Sequence, residues 1–261
     1  MARSSSRSDT VTTYPKAPVS EVIFGVTFSE ERLSIRDLFD AQQALSDEYP
    51  RVEIRPPLVD ETMSGFQITQ EVNPEKMGSV LIRLRSDDDN WMCQIQANKV
   101  YLNWIRPDHE PVGNYPGYTA IYRKFGEALD ALSLSSADFT TDSVKYYDLS
   151  YHDRLEWQEY IASLSDAHEI MHIKPPEIET PDGLNNLVSR YTYRYDPLGG
   201  YGIFAVNTAT DATGKQVLQI ESTLRGITPH QSSDAWFNEA HIVQYDHFSR
   251  IFTSEILEQW T

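Results

Sequence analysis

The sequence predicts an α+β protein in which helices pack against a mainly antiparallel sheet. Short runs of β-branched and aromatic residues alternate with turn residues along the chain, as is typical of strands joined by hairpins. Between these runs lie stretches whose apolar residues recur at the spacing of one helix face. With 10 Phe, 5 Trp and 15 Tyr among its 261 residues, the chain has ample material for a packed core.

The first half of the chain predicts a strand, a helix, a meander and a second helix. Residues 19–28 are β-branched and aromatic and predict a buried strand. Residues 34–49 predict a helix that ends before Pro50, with an apolar stripe formed by Ile35, Leu38, Phe39, Leu45 and Tyr49. The meander and the second helix are predicted over residues 65–72, 79–85, 91–97 and 100–105 and over residues 116–132.

The second half predicts the same order. A strand over 144–151 is followed by a helical stretch near 157–164 and a strand over 190–195. Residues 201–207 and 216–223 predict a hairpin, because Thr-Asp-Ala-Thr-Gly between them supplies turn residues. One long helix near residues 234–259 closes the chain.

This repetition predicts two related α+β halves, residues 14–142 and 143–261. Residues 1–13 are rich in Ser, Thr and Arg and predict a disordered tail. The aromatic spacing that the two halves share would arise on any core helix, so one continuous domain is the alternative.

The charge balance restricts the classes of partner. The chain has 22 basic and 39 acidic side chains and a formal charge of −17. We therefore expect no direct contact with nucleic acid and none with an anionic membrane, and the charge favours a basic protein partner. A single cysteine, Cys93, excludes an internal disulfide, and residues 1–13 have no apolar core of the kind a signal peptide needs. The sequence thus predicts a cytoplasmic protein.

Residues 168–172 read His-Glu-Ile-Met-His, a pattern found in metalloproteases. On a helix, His168 and His172 would lie one turn apart and hold zinc, while Glu169 would activate the bound water. The prolines at 175 and 176 end such a helix almost at once, and no recognised motif supplies a third ligand. The sequence therefore predicts no metal and no cofactor, and a metal-dependent hydrolase is kept as an alternative.

Aromatic residues suggest a second kind of site. Two halves of this type could enclose a cleft between sheet and helix, with a wall formed by Trp104, Tyr118, Tyr122 and Tyr245. Such a cleft suits a small-ligand sensor. Aromatic side chains of this kind are more often core residues than cleft walls, and no Ser-His-Asp set or pair of catalytic carboxylates is recognisable.

Several short blocks of sequence, taken in order, resemble a known family. They are YPKAPVSEV at 14–22, VYLN at 100–103, YPGY at 115–118, VKYY at 144–147 and the ending from Ala240 to Trp260. The blocks resemble a sporadically distributed prokaryotic family of uncharacterised proteins, over nearly the whole chain. The family usually has Tyr-Ile-Asn where this chain has Tyr147-Asp148-Leu149.

The resemblance implies an accessory gene of the kind carried on mobile elements, often beside toxin or defence genes. It supplies no catalytic residues. Together with the acidity and the lack of a catalytic set, it favours a non-enzymatic protein-binding or regulatory module, such as an antitoxin, immunity or defence-locus component. The small-ligand sensor and the hydrolase stay open as alternatives.

Overall fold

The computed structural model describes residues 14–58, 60–64, 67–71, 80–107, 110–132, 143–173, 186–211, 213–228 and 231–261. For residues 60–64 and 67–71 it describes the backbone. The predicted tail over 1–13 and the Pro-rich segment after Ile173 lie outside the described residues. The described strands and helices form an α+β fold, and all described strand pairs are antiparallel, which confirms the predicted fold class.

The described part of the chain contains eleven strands and four α-helices. In chain order they are β1 (Val19–Phe28), α1 (Ile35–Ala44), β2 (Arg51–Arg55), β3 (Asp60–Ser64), β4 (Gln67–Glu71), β5 (Leu81–Arg85), β6 (Trp91–Gln96), β7 (Lys99–Ile105), α2 (Tyr118–Ala131), β8 (Val144–Leu155), β9 (Val188–Tyr195), β10 (Gly200–Thr210), β11 (Gln216–Gly226), α3 (Ser233–Ile251) and α4 (Ser254–Gln259).

Nine of the strands form one sheet, in the order β2-β5-β6-β7-β1-β8-β11-β10-β9, and β3 and β4 form a separate pair. Strands from both predicted halves therefore share a sheet. They meet at its centre, where β1 pairs with β8. The two predicted hairpins are confirmed, since β5 pairs with β6 and β10 pairs with β11.

The described helices pack on one face of the sheet. Phe24 on β1 is fully buried there, and its ring lies 5.8 Å from Phe125 of α2 and 5.3 Å from Phe237 of α3. Leu38 of α1 belongs to the same apolar cluster. A second cluster, which includes Leu155 and Trp260, lies beneath α4. Burying apolar side chains on a single face provides the main stabilisation of this fold.

The long terminal helix predicted near 234–259 is instead two helices. The backbone of Phe252 is extended, with φ −92° and ψ 151°, and it forms an isolated antiparallel bridge with Met171. The amide of His172 donates to the Ile251 carbonyl at 2.7 Å, and the amide of Thr253 donates to the Ile170 carbonyl at 3.1 Å. These bonds come from a segment that is distant in sequence, and at this point α3 ends at Ile251 and α4 begins at Ser254, with Thr253 as its N-cap.

Two further helix predictions are corrected by the structure. The first helix ends at Ala44, and its predicted stripe is only partly buried, because Ile35 is 59% exposed and Phe39 is 50% exposed. The segment predicted as helical near 157–164 holds two short 3₁₀ turns, Trp157–Glu159 and Leu164–Glu169.

Within the described part of the chain, no helix combines the length and the apolar character that a bilayer span requires.

Candidate functional site

Two of the four predicted wall residues lie together between α2 and α3. The rings of Tyr118 and Tyr122 stack with centroids 5.8 Å apart and planes 6° apart, as expected for residues one helical turn apart. The Tyr118 hydroxyl donates to Asn238 Oδ1 at 3.2 Å, and the Tyr122 hydroxyl donates to Asp234. Burial raises the pKa of both phenols above the usual value for tyrosine. Both rings therefore hold α2 against α3 as neutral hydrogen-bond donors.

Phenylalanine rings fill the space on the inner side of these two tyrosines. The Phe24 ring centroid lies 5.5 Å from that of Tyr118 and 5.5 Å from that of Tyr122. The Phe237 centroid lies 5.4 Å from that of Tyr122. Both tyrosines are half-buried, and they contact the packed core through Phe24 of β1 and, for Tyr122, through Phe237 of α3.

The other two predicted wall residues have different neighbours. Trp104 on β7 is 3% exposed, and its ring centroid lies 5.5 Å from that of Tyr115. Tyr245 on α3 stacks against Tyr14 at 6.1 Å. The structure therefore divides the four predicted residues among three groups of contacts.

A row of half-buried polar groups connects Tyr118 with Tyr115, the neighbour of Trp104. The His241 ring stacks on Tyr118 with centroids 4.0 Å apart, and its Nδ1 lies 3.1 Å from the Tyr151 hydroxyl. The Tyr151 hydroxyl lies 3.4 Å from that of Tyr115. Burial lowers the pKa of His241 to about 4, so the imidazole is neutral near pH 7. We infer that His241 acts as a hydrogen-bond partner that orients Tyr151.

Asp153 is a buried acid near this row that sequence reasoning missed. It is 5% exposed, and its Oδ1 atom has no hydrogen-bond partner among the described residues. Burial raises the pKa of its carboxyl to about 7, and the Arg106 guanidinium opposes that rise. In the sequence, Asp153 follows a run of strand residues, and only the neighbouring strands reveal that its side chain is buried.

The His-Glu-Ile-Met-His segment does not form a continuous α-helix. His168 and Glu169 end the 3₁₀ turn Leu164–Glu169, and the His172 amide is engaged with Ile251. In a 3₁₀ helix, residues three apart share a face, so this turn does not align residues four apart. Among the residues that the structure describes, no three His, Cys, Asp or Glu side chains come together as a metal would require.

The sheet face opposite the helices has a buried ion pair near its centre. Arg225 of β11 pairs with Asp148 of β8, whose side chain is 2% exposed. The Tyr101 hydroxyl donates to Asp148 Oδ2 at 2.9 Å, and the Arg225 guanidinium lies 4.7 Å from the Tyr146 ring centroid. The charges come from strands that are distant in sequence, so no local motif indicates the pair.

Exposed apolar side chains mark the end of the sheet formed by β2. They are Ile35 and Phe39 of α1 and Val52 and Ile54 of β2, exposed at 59%, 50%, 45% and 63%. We call this group the edge surface. α1 contacts β5, the neighbour of β2, and Val52 and Ile54 pair with Leu84 and Ile82, which belong to the apolar cluster under α1. Apolar side chains and a sheet edge thus lie at one end of the molecule.

Acidic residues surround α1 beside the edge surface. Residues 29–50 contain six carboxylates, at positions 30, 31, 37, 40, 47 and 48, and two arginines. Ser34 is the N-cap of α1, and Asp37 completes its capping box by accepting from the Ser34 amide at 2.7 Å, while Arg36 contacts Asp40. The local balance is acidic like that of the whole chain. Arg51 and Arg55 of β2 border the same patch and pair with Asp89 and Glu53. An apolar patch with carboxylates along its helix side suits a partner that presents basic residues there.

Comparison of the chain with known proteins finds no match among family models and none among curated proteins.

Proposed function

We propose that this protein is a non-enzymatic module that binds a basic protein partner through the edge surface. The observation that carries the proposal is the exposure of four large apolar side chains beside a sheet edge. Single exposed apolar residues are ordinary on protein surfaces, whereas a group of them next to unpaired backbone groups indicates a binding site.

The backbone of β2 supports this proposal. Among the described strands, β2 has a neighbour on one side, β5, and stands at the end of the sheet. Its outer edge can accept a strand from a partner, with main-chain hydrogen bonds for affinity and with Val52 and Ile54 as side-chain contacts. Basic residues on the partner would face the carboxylates around α1.

The resemblance described above supports a specific setting for this function. A gene of the accessory type would place its partner among neighbouring toxin or defence genes, so the module would be an antitoxin, an immunity protein or a regulator. We also propose a cytoplasmic location, because Cys93 is unpaired and buried as a core residue.

A variant of the edge surface tests the proposal. The tagged chain and a Phe39→Asp/Ile54→Asp variant are used to isolate partners from native lysate, and each candidate partner is then purified and titrated by calorimetry. We expect the double substitution to weaken binding of the purified partner at least about a hundredfold, because each charge replaces an apolar anchor. Both side chains are exposed at 50% or more, so the variant should fold.

The opposite end of the sheet provides a matched control. Val188 and Tyr191 of β9 are exposed at 69% and 54% at the other sheet edge. A Val188→Asp/Tyr191→Asp variant should bind the partner like the parent chain. Equal binding by the Phe39→Asp/Ile54→Asp variant, or loss of binding in the β9 variant alone, would contradict the proposed surface.

We further propose that the two halves arose by duplication. Each contributes a central strand, β1 or β8, that pairs with the last strand of its own meander, β7 or β11. Each meander is followed by a helix that packs on its own central strands, α2 in one half and α3 in the other. Superposition of residues 19–131 on residues 144–251 tests this; a close match of strand directions and helix positions is expected.

A further inference from the structure

A cleft of about 470 Å³ lies at one end of the central strands, apart from the edge surface. It forms where β1 begins, β7 and β8 end and β11 begins, and Tyr160 and Trp260 complete its walls. Antiparallel neighbours bring these strand ends to one side of the sheet. Its volume falls within the range of small-molecule sites, about 300 to 1,000 Å³.

The cleft concentrates positive charge in an acidic protein. Four of its lining side chains are cationic and three are carboxylates, whereas the chain as a whole has 22 basic and 39 acidic residues. They are Lys16, Arg106, Arg154 and Lys215, and Glu110, Glu156 and Glu159.

Two of the three carboxylates already have partners. Glu156 pairs with Lys215 at 2.7 Å. Glu110 Oε2 accepts from Asn90 Nδ2 and from Asn114 Nδ2, each at 3.2 Å. The Glu156–Lys215 pair leaves three lining cations against the carboxylates of Glu110 and Glu159, so positive groups outnumber negative ones in the rest of the lining.

Arg106 is the buried cation of the cleft. It is 5% exposed, and it donates from Nε to the Val19 carbonyl at 3.0 Å and from Nη1 and Nη2 to the carbonyls of Glu110 and Pro18, each at 3.5 Å. No carboxylate of the described residues lies within the 4.0 Å ion-pair limit of its guanidinium. Burial lowers the pKa of Arg106, the Arg154 guanidinium lowers it further, and the nearby carboxylates, Asp153 first, act in the opposite direction. A buried cation next to a second cation favours an anion between them.

We propose that this cleft binds a small organic oxyanion, a carboxylate or a phosphate ester with an apolar body, held by Arg106 and Lys16. Guanidinium groups bind both headgroups through paired N–H donors. Lys16 lies at the exposed side of the cleft and adds a second positive charge. Pro18, Val112 and the ring of Tyr160 provide apolar contacts for the body of the ligand.

Titration calorimetry with three probes that share one ring tests the proposal. Benzoate and phenyl phosphate carry the two candidate headgroups, and benzylamine carries a cation. We expect saturable binding of at least one anion at millimolar concentration and none of benzylamine. Stronger binding of one anion assigns the headgroup. Absence of saturable binding for both anions, or binding of benzylamine as tightly as benzoate, would overturn the proposal.

Three variants link the binding to the cleft. Lys16→Glu and Arg106→Lys should each weaken anion binding at least about tenfold, because a charge-assisted hydrogen bond is lost or misplaced. Arg36→Glu on α1 changes the net charge as Lys16→Glu does, at a side chain that is 89% exposed, and should bind the anion like the parent. Because Arg106→Lys could perturb folding, the exposed Lys16→Glu variant decides the outcome. If Arg36→Glu weakened anion binding as much as Lys16→Glu, the effect would depend on net charge alone, and this result would refute the site.

Discussion

The ring of Tyr101 lies directly over Gly25 of the neighbouring strand, where a Cβ atom would come within 2.2 Å of Tyr101 Cε1. The ring cannot easily move aside, because its hydroxyl lies between Thr27 Oγ1 at 3.3 Å and Asp148 Oδ2 at 2.9 Å. The missing side chain at position 25 therefore lets a tyrosine cover the buried ion pair between Asp148 and Arg225.

A methyl group at Gly25 should destabilise the protein. We expect Gly25→Ala to lower the free energy of unfolding by about 2 kcal/mol or more, because Tyr101 must leave its position over the strand. Gly126→Ala is the matched control, since Gly126 lies within α2 and its Cβ would meet no atom within 4 Å. That variant should gain about 0.5 to 1 kcal/mol. Urea unfolding measures both, and an unchanged midpoint for Gly25→Ala would contradict the prediction.

Asp153 should make stability fall as the pH rises. Burial raises the pKa of its carboxyl to about 7, whereas an unfolded aspartate titrates near about 3.9. The folded state binds the proton more tightly between these values, so stability present at low pH is lost as the pH approaches 7. Asp153→Asn keeps a neutral side chain throughout. It should therefore gain about 2 to 3 kcal/mol more at about pH 8 than at about pH 5.

The test is urea unfolding of the parent and of Asp153→Asn at both pH values. A gain that is the same at the two values would show that the Asp153 carboxyl does not titrate in this range.

His241 should have the opposite effect on stability. Burial lowers the pKa of its imidazole to about 4, below the value of about 6.5 in an unfolded chain. The unfolded state binds more protons between these values, so stability is lost as the pH falls from about 6.5 to about 4. In the parent chain, His241 makes stability rise with pH over this range, whereas Asp153 makes it fall.

The two single variants should therefore show slopes of opposite sign. Asp153→Asn leaves the His241 effect, and its stability should rise between about pH 4 and about pH 6.5. His241→Gln leaves the Asp153 effect, and its stability should fall over the same range. Thermal melts across this range measure both profiles, and two parallel profiles would rule out this assignment.

Phe252 should be essential for the junction between α3 and α4. It is 1% exposed, and its ring lies 5.0 Å from that of Phe248 and 4.7 Å from that of Trp260. Phe252→Ala should cost about 3 to 5 kcal/mol, because it opens a cavity among these rings. Phe39→Ala removes the same atoms at a half-exposed position and should cost less than about 1 kcal/mol. Similar melting temperatures for the two variants would be inconsistent with the packing described.

Local sequence patterns were sufficient to predict most of the strands of the sheet. The predicted bounds of β1 match those observed, and the turn residues located both hairpins, because alternation and turn chemistry act over a few residues. The break at Phe252 could not be predicted, since it depends on a bridge to Met171. Likewise, the helical spacing of Ile35 and Phe39 matches that of buried residues, but no described element covers them.

The candidate sites were less predictable for the same reason. The adjacency of Tyr118 and Tyr122 follows from their spacing on one helix, whereas their core partners follow from the packing of α2 on β1 and α3. The cleft around Arg106 has no periodic signal, because each wall residue lies near the end of a different segment. From the sequence, Asp153 is an ordinary residue at the end of a strand. Its burial depends on the neighbouring strands, which are distant in sequence.

The pairing of β1 with β8 has a consequence for how the chain acquires its structure during synthesis. The Ser20 hydroxyl donates to the His152 carbonyl, a contact that spans 132 residues. Closing such a separation is slow compared with forming a local hairpin. A ribosome-bound chain that ends before residue 144 has β1 without β8, and it exposes the edge of an apolar strand. Completion of the sheet must therefore wait until most of the chain has been translated, and chaperone demand should be greatest just before that point.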